Sequence, residues 1–102
     1  MTEQQLLEHV LQAAADLGLL AYHHPDGRRL QGDAGFPDLV LLGPAGFLFA
    51  ELKSGRGRLT LEQWKWRSAI LAQLHGTHVI WQPSDWEHGL IRMQLEQLAS
   101  KT

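Results

Sequence analysis

The chain of 102 residues has no cysteine, which removes both a disulfide framework and any thiolate metal site. Six histidines are present, yet there is no His-Glu-x-x-His pattern, and His75 and His78 straddle a predicted helix end and strand start. A zinc site is therefore not expected. The phosphate-cradling Gly-x-x-x-x-Gly-Lys-Ser/Thr loop is also missing, which excludes that route to nucleotide hydrolysis. No apolar run reaches the roughly 18 residues of a membrane span, no stretch reads as a signal peptide, and no repeat or low-complexity tract is visible. The expectation is a soluble, intracellular protein with no membrane partner, forming a single domain over 1–102.

Excess charge of one sign is scarce as well, with a net of −2, and a generic polyanion binder would be basic. The distribution is less even than the total. From Arg28 to Arg67 there are seven basic residues (Arg28, Arg29, Lys53, Arg56, Arg58, Lys65 and Arg67) against four acidic ones, whereas the rest of the chain has two against seven. Such a local excess suits a phosphate backbone, and the plain alternative is a solvated mixed surface.

The chain is organised around two apolar runs. Gly35-Phe36-Pro37-Asp38-Leu39-Val40-Leu41-Leu42 is joined by Gly43-Pro44-Ala45-Gly46 to Phe47-Leu48-Phe49-Ala50-Glu51-Leu52-Lys53. Runs this apolar around a Gly- and Pro-containing turn predict a hairpin of central strands. Side chains alternate along a strand, so Glu51 and Lys53 share a face with Phe47 and Phe49, predicted to form a buried row. Asp38 opens the first strand on the face of Val40 and Leu42, and antiparallel pairing sets it beside Glu51 and Lys53. Two adjacent carboxylates repel unless one is protonated or a cation lies between them, and oxygen ligands suit Mg²⁺ or Mn²⁺. The lysine would hold or deprotonate a water, or steady a developing oxyanion, in a metal-assisted displacement at phosphorus. A strand-end salt bridge is the simpler alternative.

Before the hairpin, Thr2 caps a predicted helix over Glu3–Asp16 whose apolar stripe includes Leu6, Leu7, Val10, Ala13, Ala14 and Leu17. Glu3 falls within that stripe and Glu8 on the opposite side; Glu3 either answers the helix dipole or reaches the carboxylate pair. A short strand follows over Leu19–His23, then a turn at His24-Pro25-Asp26-Gly27. His23 and His24 are either phosphate contacts or ordinary loop histidines.

After the hairpin, Ser54-Gly55-Arg56-Gly57-Arg58 offers two arginines to a phosphate. Thr60-x-x-Gln63 has capping-box form and starts a predicted helix of about sixteen residues ending at His75-Gly76. Gln63, Arg67, Ile70 and Leu74 are expected on its packed row with Trp64 beside them. Gln63 either bonds back to the cap or orients a water or the lysine. Trp66 diverges from Trp64 and is expected to be partly exposed, covering apolar surface, stacking on a base or lying in a dimer contact. Thr77–Trp81 reads as a strand, and Ser84-Asp85-Trp86-Glu87 as the capped start of a last helix interrupted near Gly89.

Gly-Phe-Pro-Asp, twelve residues and then Glu-Leu-Lys resembles the PD-(D/E)XK nuclease signature, in particular its small VRR-NUC branch of phage and repair nucleases. Gly57-Arg58-Leu59-Thr60-x-x-Gln63-x-x-Trp66 and Trp81-Gln82-Pro83-Ser84-Asp85-Trp86 extend the likeness to nearly the whole chain. The resemblance implies an α/β, restriction-endonuclease-like fold in α-β-β-β-α-β-α order, with a mixed central sheet flanked by helices. It implies a Mg²⁺- or Mn²⁺-dependent DNA endonuclease in which Asp38, Glu51 and the Leu52 backbone carbonyl hold metal. Lys53 then activates the water, and Glu3 and Gln63 assist, Glu3 as a further metal ligand. Arg28, Arg29, Arg56, Arg58, Lys65, Arg67 and His23 would contact DNA. It also implies a homodimer acting on branched or four-way (Holliday) junction DNA in a bacterial or phage-infected cytoplasm. A nicking subunit of a helicase or phage replication complex, or a DNA-binding assembly module that does not cleave, are the other readings. The basic serine-containing loop usual before the signature has Arg28-Arg29 but no serine here.

Overall fold

A computed structural model describes residues 1–23 and 31–100. The sequence expectations for His24, Arg28 and Arg29 lie outside those residues. The elements run α1 (Glu3–Asp16), β1 (Leu20–His23), β2 (Leu39–Gly43), β3 (Gly46–Leu52), α2 (Leu61–Leu71), β4 (His78–Trp81), α3 (Pro83–Glu87) and α4 (Leu90–Ala99). The four strands form one sheet in the order β1-β2-β3-β4. β1, β2 and β3 are antiparallel neighbours, whereas β4 joins β3 in parallel after the α2 crossover. This is the mixed, helix-flanked sheet expected from the sequence.

Alternation along β3 separates two unlike faces. Leu48, Ala50 and Leu52 join Leu39, Leu41 and Trp81 in the core, under Leu6, Leu7, Val10 and Ala14 of α1 and Ile91 and Leu95 of α4. Phe47 and Phe49 lie on the opposite face, where Phe47 is exposed and Phe49 half-buried. The expected buried row is thus the other one, because among the described residues α1, α3 and α4 gather on the Leu48 face, while α2 and the Phe36 segment cover the second. Glu51 nevertheless has no exposed surface, since it sits where α2 crosses the end of β3.

α1 begins as its sequence dictates. Thr2 Oγ1 accepts from Gln5 N at 3.1 Å and Gln5 Oε1 from Thr2 N at 2.9 Å, which satisfies two donors of the first turn. α2 is shorter than its periodicity suggests, ending at Leu71 rather than His75. The chain tightens there, with Gln73 N bonding Ile70 O at 3.0 Å, and folds back so that a Cβ on Gly76 would collide with the Ile70 carbonyl. Leu74 therefore leaves the packed row and is 85% exposed. The last helix is divided at Gly89, whose φ of +81° suits glycine. Its first part is capped at Gln82, whose N–H donates to Asp85 Oδ2 at 2.8 Å, with Pro83 at the first helical position instead of Ser84.

Candidate active site

The hairpin register pairs Leu39 with Ala50, so Asp38 enters the sheet opposite Glu51 on the same face. Asp38 Oδ2 accepts the Leu52 N–H at 2.8 Å, two residues past Ala50 of the last β2–β3 pair. The acidic side chain thereby takes over a ladder position as β2 begins.

Gln63 joins the remaining parts. Its Nε2 donates to Glu51 Oε2 at 3.1 Å, while its Oε1 accepts from Lys53 Nζ at 3.1 Å and from Thr60 N at 2.9 Å. The two alternatives read from the sequence, a capping box and a contact to the lysine, are both realised by one amide. Gln63 can do this because it occupies the first turn of α2, facing the end of β3, with its backbone N–H capped by Thr60 Oγ1 at 3.2 Å.

Glu51 is the electrostatic centre of the cluster. Burial, then the Asp38 carboxylate beside it, push its pKa up to about 8, with Lys53 opposing the shift. Its Oε1 is buried without a hydrogen-bond partner among the described residues, a costly state for a carboxylate and one that a proton or a cation would relieve. A cavity of about 550 Å³ opens beside the cluster, lined by Glu3, His23, Asp38, Leu52, Lys53, Ser54 and Gln63 among others. His23 is held at its edge with Nδ1 3.2 Å from the Asp38 carbonyl oxygen. A second opening of about 310 Å³ lies on the other side of Asp38 and Gln63, lined by Gly35, Phe36, Thr60 and Glu62 among others.

Asp38, Glu51, Leu52, Lys53 and Gln63 are therefore brought together. Glu3 is exposed on the first turn of α1 and lines the larger cavity. No group of three His, Asp or Glu arranged to hold a metal occurs among the described residues, so the donors in place are two carboxylates. Arg56 and Arg58, in the loop after β3, and Lys65 on α2 are exposed. Arg67 instead turns to the sheet, donating from Nη1 to His78 O at 2.9 Å and lying 2.8 Å from His78 Nδ1. Burial and the Arg67 charge push the His78 pKa down to about 4; the ring is neutral, and its Nε2 is buried without a partner among the described residues.

Trp66 is partly exposed and covers apolar surface, one of the roles expected for it, whereas Trp64 leaves the packed side on which it was expected. Trp64 is 49% exposed, with the Arg67 guanidinium 6.0 Å from its ring. Trp66 packs edge-on against Phe36 at 5.1 Å and donates to the Ala34 carbonyl at 3.0 Å and the Asp33 carbonyl at 3.3 Å. The signal was available in the spacing, since Gln63, Trp66, Arg67 and Ile70 are related by three, four and seven positions and share a helix face. Gly35 completes this contact with a φ of +95°, where a Cβ would strike the Glu62 backbone. Gly35→Ala should cost about 2 kcal/mol or more by combining a disfavoured φ with that collision, measurable as a lower urea midpoint with unchanged slope.

No protein-family model matches the chain, and no curated protein is similar to it in sequence. Solved structures are similar. One described as a VRR_NUC domain superposes with a TM-score of 0.65 at 19% identity, over 86% of this chain and 92% of that one. Another, a VRR_NUC domain protein, gives a TM-score of 0.67 at 21% identity, over 98% of this chain and 92% of that one. The chain has the VRR_NUC fold. No helix among the described residues is long and apolar enough to cross a membrane.

Proposed function

We propose that the protein is a Mg²⁺- or Mn²⁺-dependent DNA endonuclease of the VRR-NUC branch of the PD-(D/E)XK nucleases, acting as a homodimer on branched DNA such as a four-way junction. The observation that carries this reading is Glu51, a buried carboxylate set beside a second one, with one of its oxygens unpartnered among the described residues. That donor chemistry fits a hard divalent cation. Asp38 and Glu51 would hold the ion with the Leu52 carbonyl, and Glu3 at the cavity is the candidate additional carboxylate. When bound, the ion supplies positive charge to the scissile phosphate and favours ionisation of the attacking water.

The chain's own residues do the rest. Lys53, its ammonium steadied by Gln63 Oε1, donates to the attacking water or to the oxyanion that develops on phosphorus. Gln63 holds Glu51 and Lys53 in one frame, so that the carboxylate and the ammonium approach the phosphate together. Arg56, Arg58 and Lys65 neutralise flanking phosphates. A domain this small gains reach on a junction by pairing, and a two-fold axis presents two sites to two strands.

Cleavage of labelled four-way junction, flap, single-stranded and plain duplex DNA by wild type and Lys53→Ala, each with Mg²⁺, Mn²⁺ or EDTA, tests the proposal. Wild-type cutting should require metal, favour the junction and fall by about 100-fold or more in the variant. Preference for plain duplex or single strands would point to a general nicking nuclease. Binding without cutting of any substrate would leave a DNA-binding module in place of an enzyme.

A further inference from the structure

Asp38 does not arrive on a regular element. Residues 31–38 contain neither helix nor strand, so the ladder that sets Asp38 opposite Glu51 holds it from the Leu39 side alone, and its other side needs a separate anchor. The segment just before it is fastened to α2 by independent contacts: the Trp66 N–H on the Ala34 and Asp33 carbonyls, the Trp66 ring against Phe36, and Gly35 against the Glu62 backbone. Phe36 continues edge-on to Phe49 at 5.9 Å, two residues before Glu51. Trp66 lies one turn beyond Gln63, which holds Glu51 and Lys53. One helix face thus grips both sides of the carboxylate pair.

We propose that Trp66 is a positioning residue for Asp38, holding the 33–37 segment on α2 so that Asp38 stays opposite Glu51. The functional consequence rests on the metal-nuclease reading above, but the positioning itself has a metal-free reporter. The Leu52 amide bonds the Asp38 carboxylate, whereas the next amide, Lys53, bonds Trp81 O at 2.9 Å on the other side of β3. Hydrogen exchange at Leu52 therefore reads the position of Asp38, and exchange at Lys53 reads the sheet.

Trp66→Phe keeps an aromatic edge for Phe36 and removes the N–H donor. In the metal-free protein, Leu52 should exchange about tenfold faster, the change expected from one net hydrogen bond, with Lys53 unchanged. Trp64→Phe, on the exposed side of α2, should alter neither amide. In the cleavage assay, Trp66→Phe should lower kcat by a similar factor at unchanged KM for DNA. Unaltered exchange at Leu52, or equal acceleration of both amides, overturns the proposal, because Trp66 would then be a general packing residue. Faster Leu52 exchange in a protein whose wild type cuts nothing would uphold the positioning and refute the nuclease.

Discussion

At pH 8 and without metal, Glu51→Gln is expected to be more stable than the wild type by ~4 kcal/mol, an upper figure set by the displacement of the carboxyl pKa. In the folded chain that pKa is raised from 4.5 to about 8. The folded state therefore keeps a proton that the unfolded chain releases, and this group withdraws stability as pH rises from about 4.5 to 8. Glutamine has no proton to lose and escapes the decline, so the two proteins should converge below about pH 4.5. His78 acts in the opposite direction. With its pKa pushed down to about 4 from 6.5, it withdraws stability as pH falls through that window. The metal-free wild type should show a plateau between roughly pH 4.5 and 6.5 and a fall on both sides. Urea titrations at half-unit pH intervals measure this, and parallel wild-type and Glu51→Gln curves would mean that Glu51 ionises normally in the fold.

Asp38→Asn carries the second large effect. The asparagine carbonyl can still accept the Leu52 N–H that Asp38 Oδ2 takes in the structure, so the start of β2 should keep its anchor while the negative charge disappears. Wild type at 100 times the metal dissociation constant should gain about 2.7 kcal/mol by linkage, seen as a higher Tm with Mn²⁺ and larger at pH 8, where the ion replaces the Glu51 proton. Asp38→Asn should show little of that gain, and cleavage should fall on the order of 10³-fold or more, with DNA binding far less affected. An equal Mn²⁺ shift in variant and wild type would place the metal elsewhere on the protein.

Asp38, Glu51 and Lys53 were legible because antiparallel pairing and two-residue alternation are rigid rules. A turn at Gly43–Gly46 fixes the register, and the register sets Asp38 against Glu51. Gln63 was legible in part, since its spacing from Thr60 marks a helix cap. Its second task depends on α2 crossing the end of β3, which no local rule supplies.

By itself, the sequence determined the order of elements, the central hairpin, the caps at Thr2 and Thr60 and the facing of the two carboxylates, all consequences of short-range geometry repeated along the chain. Tertiary structure alone decided which sheet face became the core, because that depends on where α1, α3 and α4 gather. It also decided that Trp66, still partly exposed, packs on the 33–36 segment while Trp64 faces solvent, through the loop carbonyls that the Trp66 N–H meets. The abnormal acidity of Glu51 belongs to the same class. A carboxylate's pKa is set by the water it loses and the charges it meets, and both are fixed only when the helix closes over the strand.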